Sequence, residues 1–393
     1  KKCDLFFAVT KDDNINIVSC SMAGKLNLGL NSVAKVEDSF LYFDDTTITP
    51  GSFGITKIID PAQLSIDKIK TLIENTDAIE LIDYANKQTR LVGIKVHYTF
   101  TLRGLTLTEI SEKAEIFKKI RIVAIYRYGK IIIPHGKNVL RHGDKIYIIG
   151  KTENVQQVVK EYFARKKILN HIIIVGGNKT GKELAETLVK EGKRVTIIVQ
   201  DAELSKKFAE EIDGVLVIHG SGIDDKVLND VNIGNSCLVS ITGDDDYNVM
   251  CAAAGKKYGI SKTICTTGKI ALVPVINTMP TIDAVCSPHL IAVGEMLSYF
   301  HKGESFSITT FSGMEAETIE IVIEKKAAIV NKPLKEIKFP KGMIIGVIVR
   351  DSEIIIPTGN DVINVNDKVI IFLIPSVVNE VENLFTKKTG WGK

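Results

Sequence analysis

The chain carries one long pattern twice, so any fold assigned to it has to contain two copies of one module. An apolar run from Leu5 to Thr10 leads into Lys11-Asp12-Asp13-Asn14 and then Ile15-Asn16-Ile17-Val18. Leu238 to Thr242 leads in the same way into Gly243-Asp244-Asp245-Asp246 and Tyr247-Asn248-Val249-Met250. Thr10 and Thr242 stand 232 residues apart, as do Asn16 and Asn248. Further on, Asp60-Pro61 answers Ser287-Pro288, and Val92 to Val96 answers Ile319 to Ile323, both at 227. The stretch IVAIYRYGKIIIP (122–134) answers IGVIVRDSEIIIP (345–357) at 223, and Gly143-Asp144-Lys145 answers Asn366-Asp367-Lys368. The offset drifts by only a few residues across the whole copy.

Each module has two parts. In the second copy, strands predicted at 172–175, 195–199, 215–218, 237–241 and 263–266 alternate with helical patterns. That alternation implies a parallel sheet with helices on both faces, a Rossmann-like α/β unit. The other part, about 79–163 and 306–385, is richer in strand pattern. It runs from a strand through Gly104 to Leu107 (or Asn331 to Leu334) into a short helix, then a hairpin turning at Tyr128-Gly129 (or Asp351-Ser352). A further strand (145–149; 368–372) and a closing helix (155–163; 377–385) complete a small α+β unit. The expected domains are 1–76, the C-terminal half of a first Rossmann-like unit; 77–166, its α+β partner; 167–303, a second Rossmann-like unit; and 304–393, its partner. Counting back 232 from residue 170 places the start of the first copy near −62. The first Rossmann-like unit is therefore expected to be truncated and to lack its own glycine turn, with roughly 60 further residues ahead of it in the parent chain.

The turn after residues 172–175 is where a ligand is expected. Gly176-Gly177-Asn178-Lys179-Thr180-Gly181 links a buried strand to a helix carrying Leu184, Ala185, Leu188 and Val189 at helical spacing. Backbone N–H groups at such a helix start favour an anion, usually a phosphate. Two phosphate motifs compete. Gly176-x4-Gly181-Lys182 spells most of a Walker A loop, but Glu183 stands where a hydroxyl should meet Mg²⁺. The dinucleotide fingerprint G-x-G-x-x-G fits better by placement, though Asn178 occupies its middle glycine position. The acidic residue expected on a ribose is displaced too, since Val199 and Gln200 end the second strand and Asp201 follows. A Rossmann-like turn that has lost its ligand is the alternative.

The totals narrow the function class. A balance of 50 Lys+Arg against 47 Asp+Glu gives a net charge of +3, which argues against a nucleic-acid binder driven by bulk charge. No apolar run approaches the length that spans a bilayer, and no signal-peptide pattern opens the chain. Six cysteines without a C-x-x-C spacing, set mostly among Ile, Val and Ala, read as buried hydrophobes in a reducing compartment. The scattered histidines give no zinc spacing.

Taken in order, the VGGNKTG turn, AVTKDDNIN and SITGDDDYN, the Asp-Pro and Ser-Pro steps and the paired hairpins resemble the regulatory subunit of Trk/Ktr-type potassium uptake systems (TrkA-like). That family has tandem RCK_N and RCK_C domains, and the resemblance covers nearly the whole chain. It implies a cytoplasmic protein, peripheral at the inner face of the cell membrane. Such a protein forms a homo-oligomer, a dimer or tetramer ring, under a membrane-embedded potassium-translocating subunit. NAD(H), or ATP and ADP, bound in the RCK_N clefts would change the ring's shape, which requires tighter binding to one ring state than to another. Carried onto this sequence, the phosphate turn falls on Gly176, Gly177, Asn178, Lys179, Thr180 and Gly181, and the ribose side near Asp201. The loop after the third strand falls on His219, Gly220 and Ser221. The end of the fourth strand falls on Thr242, Gly243 and Asp244, and in the first copy on Thr10, Lys11 and Asp12. Asn178 and Val199 depart from the dinucleotide pattern, and Lys179 offers a positive charge to phosphate or simply sits solvated.

Three further patterns have two readings each. Asp244-Asp245-Asp246 could gather a divalent cation, but capping of the following helix already accounts for it, so no metal site is expected. Arg127 and Arg350 resemble positions near where some family members bind a cyclic dinucleotide; an ordinary surface arginine of a hairpin is the plainer reading. The helices with Ile66, Ile69, Leu72 and Ile73, and with Met296 and Leu297, either cross to a neighbouring lobe or pack in an ordinary core. No nucleophile, acid–base pair or hydride-acceptor domain appears, so an enzyme is not expected. An NAD-dependent oxidoreductase, and a structural gating subunit with an empty second cleft, are the other readings.

Overall fold

A computed structural model describes residues 3–27, 29–43, 48–85, 87–163, 169–231, 235–300, 306–311 and 316–385. The first copy opens with β1 (Leu5–Ala8), α1 (Asp13–Leu26), β2 (Asn31–Lys35), α2 (Ser39–Tyr42), β3 (Lys57–Ile59) and α3 (Pro61–Glu74). The three strands lie in the order β1-β2-β3 and pair in parallel. Helix α1 starts where it does because the Asp12 carboxylate accepts from the Ile15 N–H at 3.1 Å, satisfying a donor the helix cannot. The chain continues through β4 (Ala78–Tyr84), β5 (Thr89–Lys95), α4 (Leu107–Lys113), β6 (Ile120–Arg127), β7 (Lys130–Ile132), β8 (Lys145–Lys151) and α5 (Thr152–Val158). These strands form an antiparallel sheet in the order β4-β5-β8-β6-β7.

The second copy repeats the scheme with more in front of it. It runs β9 (His171–Val175), α6 (Lys179–Lys190), β10 (Arg194–Val199), α7 (Ala202–Glu211), β11 (Val215–His219) and α8 (Asp225–Val231). Then come β12 (Ser236–Ser240), α9 (Asp245–Lys257), β13 (Lys262–Thr266), α10 (Leu272–Thr278), β14 (Ala284–Cys286) and α11 (Pro288–Phe300). Last are β15 (Phe306–Thr310), β16 (Glu317–Val322), β17 (Met343–Arg350), β18 (Glu353–Ile355), β19 (Lys368–Leu373) and α12 (Val378–Phe385). The six-stranded sheet has the order β11-β10-β9-β12-β13-β14, the arrangement of a dinucleotide-binding Rossmann sheet. All five residues of β9 are buried, as a central parallel strand covered on both faces requires. Its order reverses between β9 and β12, and the Gly176 turn leaves β9 at that point.

By its contacts the chain divides into two compact units. One holds residues 1–70, 170–273 and 285–300, with both parallel sheets. The other holds 71–169, 274–284 and 301–393, with both antiparallel sheets. Within the second unit, Leu91, Val123, Tyr147 and Ile149 share one core with Phe311, Val347, Ile370 and Phe372, so the two sheets pack face to face. The repeat extends to irregularities. Each sheet carries a register shift, at Ile122/Ala124 and at Ile345/Val347, 223 residues apart. The hairpins turn at Tyr128-Gly129 and Asp351-Ser352 with positive φ at both central residues, the backbone a tight two-residue turn demands.

Where the copies differ, local chemistry says why. Thr106 caps α4 through a reciprocal box with Glu109. The second copy has Pro333 at that place and makes only a short 3-10 turn, Leu334–Glu336. Of the two helices read as apolar over more than one stripe, α3 buries Ile66, Ile69, Leu72 and Ile73, and α11 packs Ala292 and Met296 against Val33, Ile59 and Leu64 of the first copy.

Candidate functional site

The turn after β9 is shaped by close approaches. Gly176 has φ +156, and a Cβ on it would lie 2.5 Å from the Ile241 carbonyl oxygen at the end of β12. Gly181 is buried, and a Cβ there would lie 2.8 Å from the Gly176 carbonyl oxygen. Both positions therefore exclude a side chain. Asn178, which departs from the dinucleotide pattern, is held for a structural reason. It caps α6, its Oδ1 accepting from the Gly181 N–H at 2.8 Å.

Two clefts of the first unit meet at Asn178 and Thr242. One, of about 260 Å³, opens between Gly176-Gly177 and the end of β10, with Val199, Asp201 and Tyr247 on its walls. The other, of about 330 Å³, takes in Lys179, Thr180, Asp245, Gly268 and His289. Of the residues named from the sequence, Gly176, Gly177, Asn178, Lys179, Thr180, Asp201 and Thr242 are thus brought together. Gly181 lies beneath the turn. Gly220, Ser221 and Asp244 line neither cleft and support residues that do. The Gly220 N–H donates to the Val199 carbonyl at 2.9 Å, and the Ser221 hydroxyl lies 2.9 Å from that of Tyr247. Asp244 caps α9, accepting from the N–H groups of Asp246 and Tyr247 at 3.0 Å each. Thr10, Lys11 and Asp12 close β1 of the first copy and also stand outside both clefts.

Charge here is mostly spoken for. Lys179 is an exposed lysine whose charge is already partnered, pairing with Asp38 and lying 3.5 Å from Glu183. Burial works against its ammonium, but the hydrogen bond to Asp38 and the neighbouring carboxylates hold its pKa above the ordinary lysine value. Burial pushes the Glu183 carboxyl up, Lys179 pulls it down, and Asp60 and Asp38 add to the rise. Asp201 accepts from the Leu204 N–H at 2.8 Å as the cap of α7, yet it lines the first cleft as well. Asp245, from the acidic triplet, accepts from the N–H groups of Gly268 and Lys269 at 2.9 and 3.0 Å. Among the described residues no group of three or more His, Cys, Asp or Glu could hold a metal ion.

Arg127 and Arg350 are half-buried arginines, each held by a buried carboxylate. Arg127 grips the buried Asp144 with Nε at 2.7 Å and Nη2 at 2.6 Å, and donates to the Val139 carbonyl at 2.7 Å. Arg350 holds Asp367 and the Val362 carbonyl in the same way at 2.8–2.9 Å. The Gly-Asp-Lys and Asn-Asp-Lys steps are the partners of these arginines, 17 residues along the chain. A cavity of about 470 Å³ in the second unit is lined instead by Arg121, Phe117, His135 and Thr358. Sequence pattern alone did not single out Tyr247 or Asp245 as cleft residues, although both stand inside the SITGDDDYN stretch.

Comparison with known proteins places this architecture. The TrkA-N domain family model matches residues 172–288, and the TrkA-C domain model matches 91–163 and again 318–386. The Trk system potassium uptake protein TrkA of Haemophilus influenzae is 30% identical over 388 residues, covering 97% of this chain and 84% of that protein. TrkA homolog 1 of Methanosarcina mazei is 28% identical over 393 residues, covering 98% and 86%. Among solved structures, the GsuK RCK domain has a TM-score of 0.52 at 15% identity, covering 97% of this chain and 80% of its own. The GsuK channel bound to NAD has 0.53 at 14%, covering 97% and 66%. Those two likenesses concern the fold. No helix of the described residues is long and apolar enough to cross a membrane. With two TrkA-type domain models matched over more than half its length and a 30% identical relative aligned nearly end to end, the chain belongs to the TrkA family of Trk system potassium uptake proteins rather than to a family of enzymes.

Proposed function

We propose that the chain is a cytoplasmic regulatory subunit that senses a nucleotide, NAD(H) or ATP/ADP, and gates a membrane-embedded potassium-translocating subunit. The ligand binds where the strand order reverses, its phosphates over the Gly176–Gly181 turn and its ribose side toward Asp201. One observation carries this reading. A cleft stays open above a turn whose glycines are enforced by backbone contacts, at the edge of a parallel sheet where such ligands bind. A fold relative solved as a channel bound to NAD agrees with it. The protein acts as a homo-oligomer, a dimer or tetramer ring peripheral to the inner face of the membrane. Ligand-dependent change in that ring biases transport by the difference in affinity between its states.

The test is thermal melting with NAD⁺, NADH, ATP or ADP, together with mass spectrometry of nucleotide retained on purification. A ligand at 100 times its Kd should stabilise by about 2.7 kcal/mol. Loss of that shift in Gly177→Ala, a change within the turn that the fold should survive, would tie it to this turn. Absence of any shift, with no retained nucleotide, would leave a purely structural gating subunit. Turnover of NADH with a small carbonyl compound would favour an oxidoreductase instead.

A further inference from the structure

Lys145 opens β8 and is only 8% exposed. Its ammonium donates to the Asn277 carbonyl at 2.6 Å and to the Asn277 Oδ1 at 3.2 Å. Asn277 is in the last turn of α10, where the final carbonyls have no partner within the helix and accept from an outside donor. Lys95, directly across the strand pair from Lys145, donates to the Pro280 carbonyl at 3.4 Å. Two lysines on neighbouring strands thus hold the 277–280 stretch, although like charges in that register repel.

The second copy shows what this arrangement replaces. Lys368, the counterpart of Lys145, is bound by Glu320 at 2.7 Å on the neighbouring strand. The counterpart of Glu320 is Gly93, where a Cβ would lie 2.7 Å from Tyr147 Cε1. With no carboxylate possible there, Lys145 turns to the helix end. Lys95 has Val322 as its counterpart, so the pairing of two lysines belongs to the first copy alone.

We propose that Lys145, seconded by Lys95, is a proton-linked clasp on the end of α10, tightening as the surroundings turn alkaline and slackening as they turn acid. The segment it holds, 274–284, belongs to the second unit, whereas the residues flanking it in sequence belong to the first. The clasp itself stands whether or not a nucleotide binds.

The direction follows from linkage. Burial first, and then Lys95, push the Lys145 ammonium down to about 8 from the free value of 10.5, with Asp283 and Glu80 opposing. The clasped state therefore holds fewer protons than the open one, and rising pH favours it. Between pH 7 and pH 9 those two values change the clasped-to-open ratio by about tenfold. The titratable and charged groups facing Lys145 are Lys95 on β5, Glu80 on β4, Asp283 before β14 and Tyr126 on β6, whose ring centroid is 6.0 Å from Nζ.

Hydrogen exchange of residues 272–286 in the full chain, corrected for the intrinsic pH dependence, tests the clasp. Protection should rise about tenfold from pH 7 to pH 9 in the wild type. It should stay level in Lys145→Met, which isolates Lys145 from the other groups facing it. Unchanged protection in the wild type, or an undiminished rise in Lys145→Met, would overturn the proposal. Competitive amine labelling of the wild type gives an answer even if the variant fails to fold. An ionisation midpoint near 8 supports the clasp, and one at the free-lysine value of 10.5 overturns it.

Discussion

Asn16 and Asn248, 232 residues apart, make the same hydrogen bonds. Each Oδ1 accepts from the backbone N–H of a threonine six residues earlier, Thr10 or Thr242, at 2.8 Å, and from that threonine's hydroxyl at 2.7–2.8 Å. Each Nδ2 donates back to the same threonine's carbonyl at 3.1 Å. Each also reaches the end of the next strand, at the Lys35 carbonyl (2.9 Å) or the Thr266 carbonyl (3.2 Å). Both side chains are fully buried. One amide thus ties two strand ends and a helix start together, beside the cleft in the second copy.

Asn248→Ala removes a donor and an acceptor at once and strands the Thr242 N–H and two carbonyls. Groups left unpaired in a buried place cost about 1–3 kcal/mol. A lower thermal midpoint is expected, and Asn248→Asp should be at least as damaging, because a carboxylate cannot donate to the two carbonyls. A melting temperature equal to wild type for both would refute the role.

The glycines of the turn are expected to differ in severity. At Gly176 a methyl meets backbone, the Ile241 carbonyl oxygen at 2.5 Å, and the φ of +156 is itself unfavourable for alanine. At Gly177 the nearest atom is the Val199 Cγ1, at 2.8 Å, a buried side-chain methyl rather than backbone. Gly176→Ala should lose the larger part of its stability and deform the cleft. Gly177→Ala should fold and melt within a few degrees of wild type.

Two arginines of the second unit should respond to substitution with opposite signs. Arg127→Met leaves the Asp144 carboxylate, 1% exposed, without its cation, and breaking such a pair costs about 3–5 kcal/mol. Arg121 is half-buried; its Nη2 donates to the Pro357 carbonyl, but its buried Nε has no partner. Burial lowers its pKa, with Asp361 opposing, so keeping the charge there is costly. Arg121→Met should therefore be neutral or stabilising. Urea unfolding of the two variants decides both.

Five of the six strands of the parallel sheet were legible to within a residue because short apolar runs bounded by turn residues leave little else to form, whereas β14, three residues long, carries too little pattern to be read. The repeat made the α+β units legible as well, down to the hairpin turns. What the sequence hid was partner choice across space. Asp38, from the first copy, neutralises Lys179 of the second, and no spacing rule joins residues 141 positions apart. Asn178 looked like a damaged dinucleotide motif because a cap and a fingerprint glycine compete for one position. Arg127 and Asp144 both belong to the repeated pattern, but only the fold of the hairpin shows that they face each other.

The thiols give a last test, and its sign can be worked through. Cys3 is exposed, while the other five of the six cysteines are buried. Burial pushes Cys251 and Cys265 up to about 12 and Cys20 to about 11, from the ordinary value of 9.0. The thiolate is the species that attacks a disulfide reagent, so at pH 8 only Cys3 should react quickly. The others should wait for opening of the fold and all react in denaturant. A raised pKa also means that folding favours the protonated thiol. That stabilisation is fully present below pH 9 and drains away as pH climbs toward 11–12. Lys145 pulls the other way between 8 and 10.5, but it is one group against three. Resistance to urea should therefore fall above pH 9, and labelling of the buried thiols should accelerate as it falls.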